Sequence, residues 1–209
     1  MDDDLPAGRA GPLRPRRSED FDEMYTGTPP WDIGRPQPAF LTLADTGALQ
    51  GTVLDAGCGT GEHALMAAER GRNATGVDLA AAAIAAAEAK ARDRGLEARF
   101  LVWDALDLAG LGHPFDTVLD CGLFHIFEDP DRAAYVESLT AAVRPGGRYF
   151  MLCFSDLQPG DWGPRRVSEE EIRASFATGW RIDALEPATI EITLDPAGAR
   201  GWLVSATRT

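Results

Sequence analysis

Residues 53–61 read Val-Leu-Asp-Ala-Gly-Cys-Gly-Thr-Gly. An apolar run of β type ends in Asp55. Gly57, Gly59 and Gly61 then alternate through a loop that opens into helix-type sequence near Glu62. Glycine removes the Cβ that would hold a ligand away from the backbone, and a helix start offers unpaired N–H groups. A strand, a tight turn and a helix start in this order cradle a nucleotide-like cofactor. Asp78 ends the run Ala74-Thr75-Gly76-Val77-Asp78, 17 residues past Gly61, about where a second strand delivers a carboxylate to ribose hydroxyls. The glycine spacing is G-x-G-x-G, which departs from the G-x-G-x-x-G of dinucleotide folds.

The elements that must position these residues alternate along the chain. Strands are expected at residues 52–55, 74–78, 98–103, 115–120 and 148–154. Helices are expected at 62–70, at the alanine-rich 80–94 with Gly95 as its C-terminal cap, and from Asp129-Pro130 to about residue 143. Ser168 and Glu171 have capping-box spacing and start another helix. Residues 181–193 and 202–207 read as a closing pair of strands. Ahead of these lie a short helix at 19–25, a turn-rich aromatic segment at 29–38 and a helix at 40–48. Residues 1–18, rich in Asp, Pro, Gly and Arg, have almost nothing to bury and read as a disordered tail.

This alternation predicts an α/β fold: one Rossmann-like, doubly wound, mostly parallel sheet of seven strands with helices on both faces. Residues 19–209 form a single domain, divided into an N-terminal lid at 19–48 and a core at 51–209. Ligands belong beyond the carboxyl ends of the strands, where strand order reverses. Asp55, Asp78, the Trp103-Asp104 pair and Asp120 all fall at such ends.

With 209 residues the chain can bury a sizeable core but is short for a separate substrate domain, which counts against a typical nicotinamide oxidoreductase. The net charge of −13 weighs against wrapping a nucleic-acid backbone and favours a small-molecule partner. No apolar run is long enough to span a bilayer, and no signal-peptide core is evident. Cys58, Cys121 and Cys153 lack metal-ligand spacing, so reduced thiols, a cytoplasmic location and no metal are expected. A monomer or weak homodimer is expected.

The order of motifs carries a family resemblance. The glycine loop is followed by Gly76-Val77-Asp78-Leu79, Asp104-Ala105, Phe115-Asp116-Thr117-Val118 and Arg144-Pro145-Gly146-Gly147. Together they resemble the class I S-adenosylmethionine (SAM) methyltransferases. The resemblance implies cofactor contacts from Asp55, Gly57, Cys58 and Gly59, with Gly57 and Gly59 close to the methionyl part. It implies that Asp78 binds the ribose hydroxyls, that Leu79 packs on adenine, and that Asp104, beside Ala105, accepts from the adenine amino group. Asp120 would lie near the methionyl ammonium.

The leader Pro30-Trp31-Asp32-Ile33-Gly34-Arg35-Pro36-Gln37-Pro38, with Asp120-Cys121-Gly122-Leu123-Phe124-His125 and Asp161-Trp162-Gly163-Pro164-Arg165, is similar to the thiopurine and thiol methyltransferase-like group. That group includes halide- and heterocyclic-toxin-methylating enzymes, and in it Trp31 would help close over SAM. Phe40, Phe124 and Trp162, with Phe127, would wall the acceptor pocket, and Arg165 with Arg166 would give it a cationic spot. His125, five residues past Asp120, is the candidate general base. His63 and His113 have no evident partners, and Cys121 reads as buried filler. The expected activity is methyl transfer to a small-molecule thiolate. N- or O-methylation of a heterocycle or phenol is the alternative within the enzyme class, and a non-catalytic SAM-binding regulator is the alternative outside it.

Overall fold

The computed structural model describes residues 22–209. The proposed tail at 1–18 and the first residues of the expected 19–25 helix lie outside the described residues. Seven strands form one sheet in the order β3-β2-β1-β4-β5-β7-β6. They are β1 (Thr52–Ala56), β2 (Asn73–Asp78), β3 (Ala98–Val102), β4 (Phe115–Cys121), β5 (Val143–Phe154), β6 (Trp180–Ile190) and β7 (Ala199–Arg208). The first five strands pair in parallel, and β7 runs antiparallel to both β5 and β6. Strand order reverses between β1 and β4, so the cleft opens beyond the ends of those two strands.

The helices are α1 (Pro38–Asp45), α2 (Glu62–Glu69), α3 (Ala81–Arg94), α4 (Asp129–Ala142) and α5 (Glu169–Ser175). Two hydrophobic clusters pack on the sheet. One joins Leu54, Val118, Tyr149 and Met151 to α4, and the other joins Val53, Leu119, Phe150 and Leu152 to α1, α2 and α3. Strands buried on both sides read as continuous apolar runs, which is why β4 and β5 were legible as strands.

The expected caps are present at Gly95, which is left-handed at φ 62°, and at Ser168 with Glu171. Two helix starts are capped from a distance instead. Asp55 Oδ2 accepts from Ala64 N at 3.0 Å at the start of α2, and Asp22 Oδ1 accepts from Ala82 N at 2.9 Å at the start of α3. Neither Gly61 nor Ala80, the residues before those helices, has a side chain able to cap. Helix α1 begins at Pro38, earlier than expected, because proline suits the first helical turn. Strand β5 begins at Val143, ahead of the Pro-Gly-Gly break, with a register shift absorbing the irregularity.

Candidate active site

The loop after β1 needs its glycines for two separate reasons. Gly61 sits at φ 85°, and a Cβ there would come within 2.7 Å of Phe100 on β3 and 2.8 Å of Ala87 on α3, so a side chain would force the start of α2 away from both. Gly59 sits at φ 51°, and a Cβ there would lie 2.8 Å from the Tyr25 hydroxyl, within the cleft. The loop is further fixed by Cys58 N donating to Val77 O at 2.9 Å and by Gly59 N donating to Asp78 Oδ2 at 2.8 Å. The other oxygen of Asp78 accepts from Ala80 N at 2.9 Å. Burial lifts the Asp78 carboxyl above its ordinary range, against the pull of these N–H donors.

A cavity of about 430 Å³ lies over this loop, within the roughly 300–1,000 Å³ common for small-molecule sites. Of the residues singled out in the sequence, Gly57, Cys58, Gly59, Asp78, Leu79, Asp104, Ala105, Trp31, His125 and Trp162 line it. Asp104 also caps the following 3₁₀ turn, accepting from Leu106 N at 2.9 Å. Cys121, expected to be buried filler, is half-buried and lines the cavity too.

Five candidates lie elsewhere. Asp55 is beneath the loop. It is fully buried, one oxygen caps α2 and the other has no partner among the described residues, and burial together with Asp78 and Asp120 raises its pKa to about 7. Asp120 is fully buried and binds the fold together. It accepts from Tyr149 Oη at 2.7 Å, Tyr135 Oη at 2.9 Å and Leu123 N at 2.8 Å. Burial outweighs those donors and raises its pKa to about 6. Phe40 is a core residue against His63, and Phe124 is a core residue stacked on Phe176 under the Arg132 guanidinium. Each continues a helix or turn whose apolar face points into the protein. Arg165 does not line the cavity. It pairs with Asp129 and Glu171, each at 2.5 Å, and with Glu128 at 3.7 Å. Of the residues named beside these, Phe127 stacks on Tyr135 in the core, and Arg166 donates to the carbonyls of Gln158, Pro159 and Trp162.

The two histidines in the cavity lining are wired alike. Phe154 N donates to His125 Nδ1 at 3.0 Å, and Gln37 N donates to His63 Nε2 at 3.1 Å. A neutral imidazole that accepts at one nitrogen carries its proton on the other. His125 is therefore the Nε2–H tautomer, and His63 the Nδ1–H tautomer. Burial, with Arg132 nearby, lowers the His125 pKa to about 3; burial lowers that of His63 to about 4 despite the adjacent Glu62. His125, in the cavity lining, thus keeps one donor, Nε2–H, and has no lone pair left to act as a base.

Apart from Trp31, the remaining wall was not assigned from sequence. Tyr25 and Trp31 meet edge to face, with Trp31 Nε1 donating to Tyr25 Oη at 3.3 Å. The stretch Ile190-Glu191-Ile192-Thr193-Leu194 continues the alternation of β6 past its end. Ile190, Ile192 and Leu194 line the cavity. Glu191 and Thr193 tie to the leader. The Gln37 amide donates to Glu191 O and accepts from Glu191 N, both at 2.9 Å, Arg35 pairs with Glu191 at 2.5 Å, and Thr193 N donates to Pro30 O at 2.9 Å. On the other side Asp32 accepts from Thr60 Oγ1 at 2.8 Å, and Lys90 donates to both Thr60 and Glu62. The leader is thereby pinned to the glycine loop and to the end of β6. The period-two pattern at 190–194 was the available sequence signal, whereas Tyr25 carried none.

Among the described residues no group of three or more His, Cys, Asp or Glu is placed to hold a metal ion, and no helix is long and apolar enough to cross a membrane.

A sheet of this order, with a glycine loop after its first strand and an acid after its second at one switch point, defines a class I SAM-dependent methyltransferase. The chain belongs to that family. Residues 53–147 match the family model described as a methyltransferase domain. A 2-heptyl-1-hydroxyquinolin-4(1H)-one methyltransferase of Mycobacteroides abscessus is 40% identical over 171 residues, 80% of this chain and 75% of that protein. A probable thiol methyltransferase of Arabidopsis thaliana is 28% identical over 153 residues, covering 69% of this chain and 65% of that one. A solved structure concerned with conversion of a disulfide bond into a thioacetal group during echinomycin biosynthesis is 40% identical, with a TM-score of 0.84 over 92% of this chain and 93% of the other.

Proposed function

We propose that this enzyme methylates a small apolar molecule whose nucleophilic atom ionises without help from the protein, foremost a hydroxylated N-heterocycle. The observation that carries this is the wiring of the two cavity histidines: each has one nitrogen accepting from the backbone and a proton on the other. An acceptor that needed its proton removed would find no free imidazole base there, whereas an acidic N-hydroxy group, or the ionised fraction of a phenol, reaches the site as an anion. The name of the Mycobacteroides relative fits this acceptor class.

The cofactor fits the loop. Gly57 and Gly59 line the cavity with no Cβ to obstruct a ligand, and Asp78 retains oxygen lone pairs beyond the two that bind Gly59 and Ala80. Gly57, Cys58 and Gly59 would hold the methionyl part, Asp78 the ribose, and Leu79, Asp104 and Ala105 the adenine. SAM supplies a methyl group already activated by its sulfonium. The protein's task is to align the acceptor, which is worth roughly 7–11 kcal/mol of barrier. His125 Nε2–H then serves as a fixed donor to the acceptor's anionic atom or to its neighbour.

A thiolate is the second reading. It shares the property of ionising by itself, and the Arabidopsis and echinomycin relatives favour it. The test is SAM turnover with a 1-hydroxyquinolin-4-one, a phenol and an aliphatic thiol across a range of pH. The rate should rise with pH along the pKa of each acceptor in turn. An inflection fixed at one pH for all three would mean that a protein base is working. Turnover confined to the thiol would transfer the assignment to the second reading.

A further inference from the structure

Five large apolar side chains are more than two-fifths exposed among the described residues, and three of them, Trp31 (49%), Trp162 (41%) and Leu194 (71%), line this one cavity. Isolated exposed apolar residues need no explanation, but a cluster at the entrance to a binding site does. The backbone explains how they are held there. Along 190–194 apolar and polar residues alternate past the end of β6, and the apolar ones line the cavity. Glu191 and Thr193 are fixed to the leader by the Gln37 amide, Arg35 and Pro30, so Ile190, Ile192 and Leu194 are committed to the cavity side. Exposure climbs along this ladder, from Ile190 at 5% to Leu194 at 71%, as it passes from the floor to solvent. Phe154 lines the same cavity, and Trp162 packs against it edge to face at 5.7 Å.

We propose that the ladder Ile190, Ile192 and Leu194, with Trp31 and Trp162, is a subsite for an alkyl or aryl substituent carried by the methyl acceptor. The ladder is continuous with the reaction cavity, so a substituent leaving the acceptor ring enters it without crossing a polar barrier. The inference rests on reading the cavity as the seat of a small apolar acceptor.

The test uses 1-hydroxyquinolin-4-ones whose 2-substituent runs from hydrogen through methyl, butyl and heptyl, with the full-length enzyme and its Leu194→Asp variant. Leu194 is too exposed for this change to threaten folding. In the wild type, kcat/KM should rise two- to fourfold per added methylene over the first several, since a fully buried methylene is worth about 0.8 kcal/mol. The loss caused by Leu194→Asp should be at least tenfold greater with the heptyl compound than with the unsubstituted parent. A flat response to chain length, or an equal loss on parent and heptyl compounds, overturns the subsite. If no member of the series is methylated, the proposed acceptor class fails. The subsite is then read by calorimetric binding of the same compounds to the S-adenosylhomocysteine complex, where affinity should still climb with chain length. A wild type that dimerises, a Leu194→Asp variant that does not, and no dependence on chain length would assign the rim to a second copy of the chain and overturn the proposal.

Discussion

The backbone N–H of Phe154 donates to Nδ1 of His125 at 3.0 Å, and this one bond decides what the histidine can do. It occupies one ring nitrogen and leaves the proton on Nε2, in a ring that lines the cavity. Gly122, at φ 86°, makes room for the ring, because a Cβ there would lie 3.2 Å from the imidazole.

His125→Phe should therefore raise the KM of the acceptor by roughly ten- to a hundredfold, the worth of a hydrogen bond to a charged group, and leave the pH inflection of kcat/KM where it was. His125→Gln, which keeps a donor, should recover part of the loss. Steady-state kinetics across pH are the check. A fall of 10²–10⁴-fold in kcat with a lost acidic limb would restore the general base.

The buried titratable groups oppose one another as pH changes. His63 and His125 have folded pKa values of about 4 and about 3, below the ordinary 6.5. Their contribution to stability is complete above about pH 6.5 and is lost as pH falls toward those values. Asp55 and Asp120 have folded values of about 7 and about 6, above the ordinary 3.8. Their contribution is complete below about pH 3.8 and is lost as pH rises through 6 and 7. Between pH 4 and 6.5 the two sets offset each other. Relative to wild type, the Tm of Asp55→Asn should thus fall as the solution is acidified from pH 7 to 4, and that of His125→Gln should climb. Scanning calorimetry at several pH values reads both slopes, and slopes of the same sign would contradict the assignment.

Much of this was legible because the physics is local. The β1 loop, Asp78, the Gly95 cap and the Ser168–Glu171 capping box are each set by residues within one turn or one strand–loop unit, and a short window shows them. Asp55 and Asp120 looked like cofactor ligands because both stand at strand ends, where a ligand would lie. Whether such a side chain turns up into the cleft or down under the loop depends on partners far away in sequence: Ala64 for Asp55, Tyr135 and Tyr149 for Asp120. Phe40 and Phe124 stand in the core and Arg165 in ion pairs, since aromatic and basic types suit a core or an ion pair as well as a pocket wall. The pairing of Gln37 with Glu191, 154 residues apart, has no local trace.

The two carboxylates at the ends of β2 and β4 should behave oppositely under substitution. Asp78→Ala removes the carboxylate that faces the cavity and should weaken S-adenosylhomocysteine binding ten- to a hundredfold, with the folded state retained. Tyr149→Phe removes one donor to the buried Asp120 and should cost about 1–3 kcal/mol of stability while leaving that affinity within threefold. Calorimetric titration and urea unfolding separate the two effects. Equal losses of affinity would place Asp120 in the cofactor site after all.

Gln37 links the leader to the far edge of the sheet and so controls both walls of the cavity. Its side chain is almost wholly buried, and its amide satisfies both backbone groups of Glu191. Its own N–H holds His63. Gln37→Ala should remove the two side-chain bonds and keep the one made by the backbone. Each lost bond to a buried group is worth about 1 kcal/mol net, so the unfolding free energy should drop by about 1–2 kcal/mol and the fold should persist. The larger effect should be local. Amide exchange at residues 30–37 and 191–194 should be slow in the wild type without ligand, because both segments are already fastened, and should quicken at least tenfold in the variant. Acceptor KM should rise with little change in kcat, since the walls loosen while the glycine loop and Asp78 stay in place. Hydrogen exchange read by mass spectrometry gives the answer. Fast exchange at 30–37 in the wild type that slows only with S-adenosylhomocysteine would make the leader a closing lid, whereas slow exchange without ligand makes it a fixed wall.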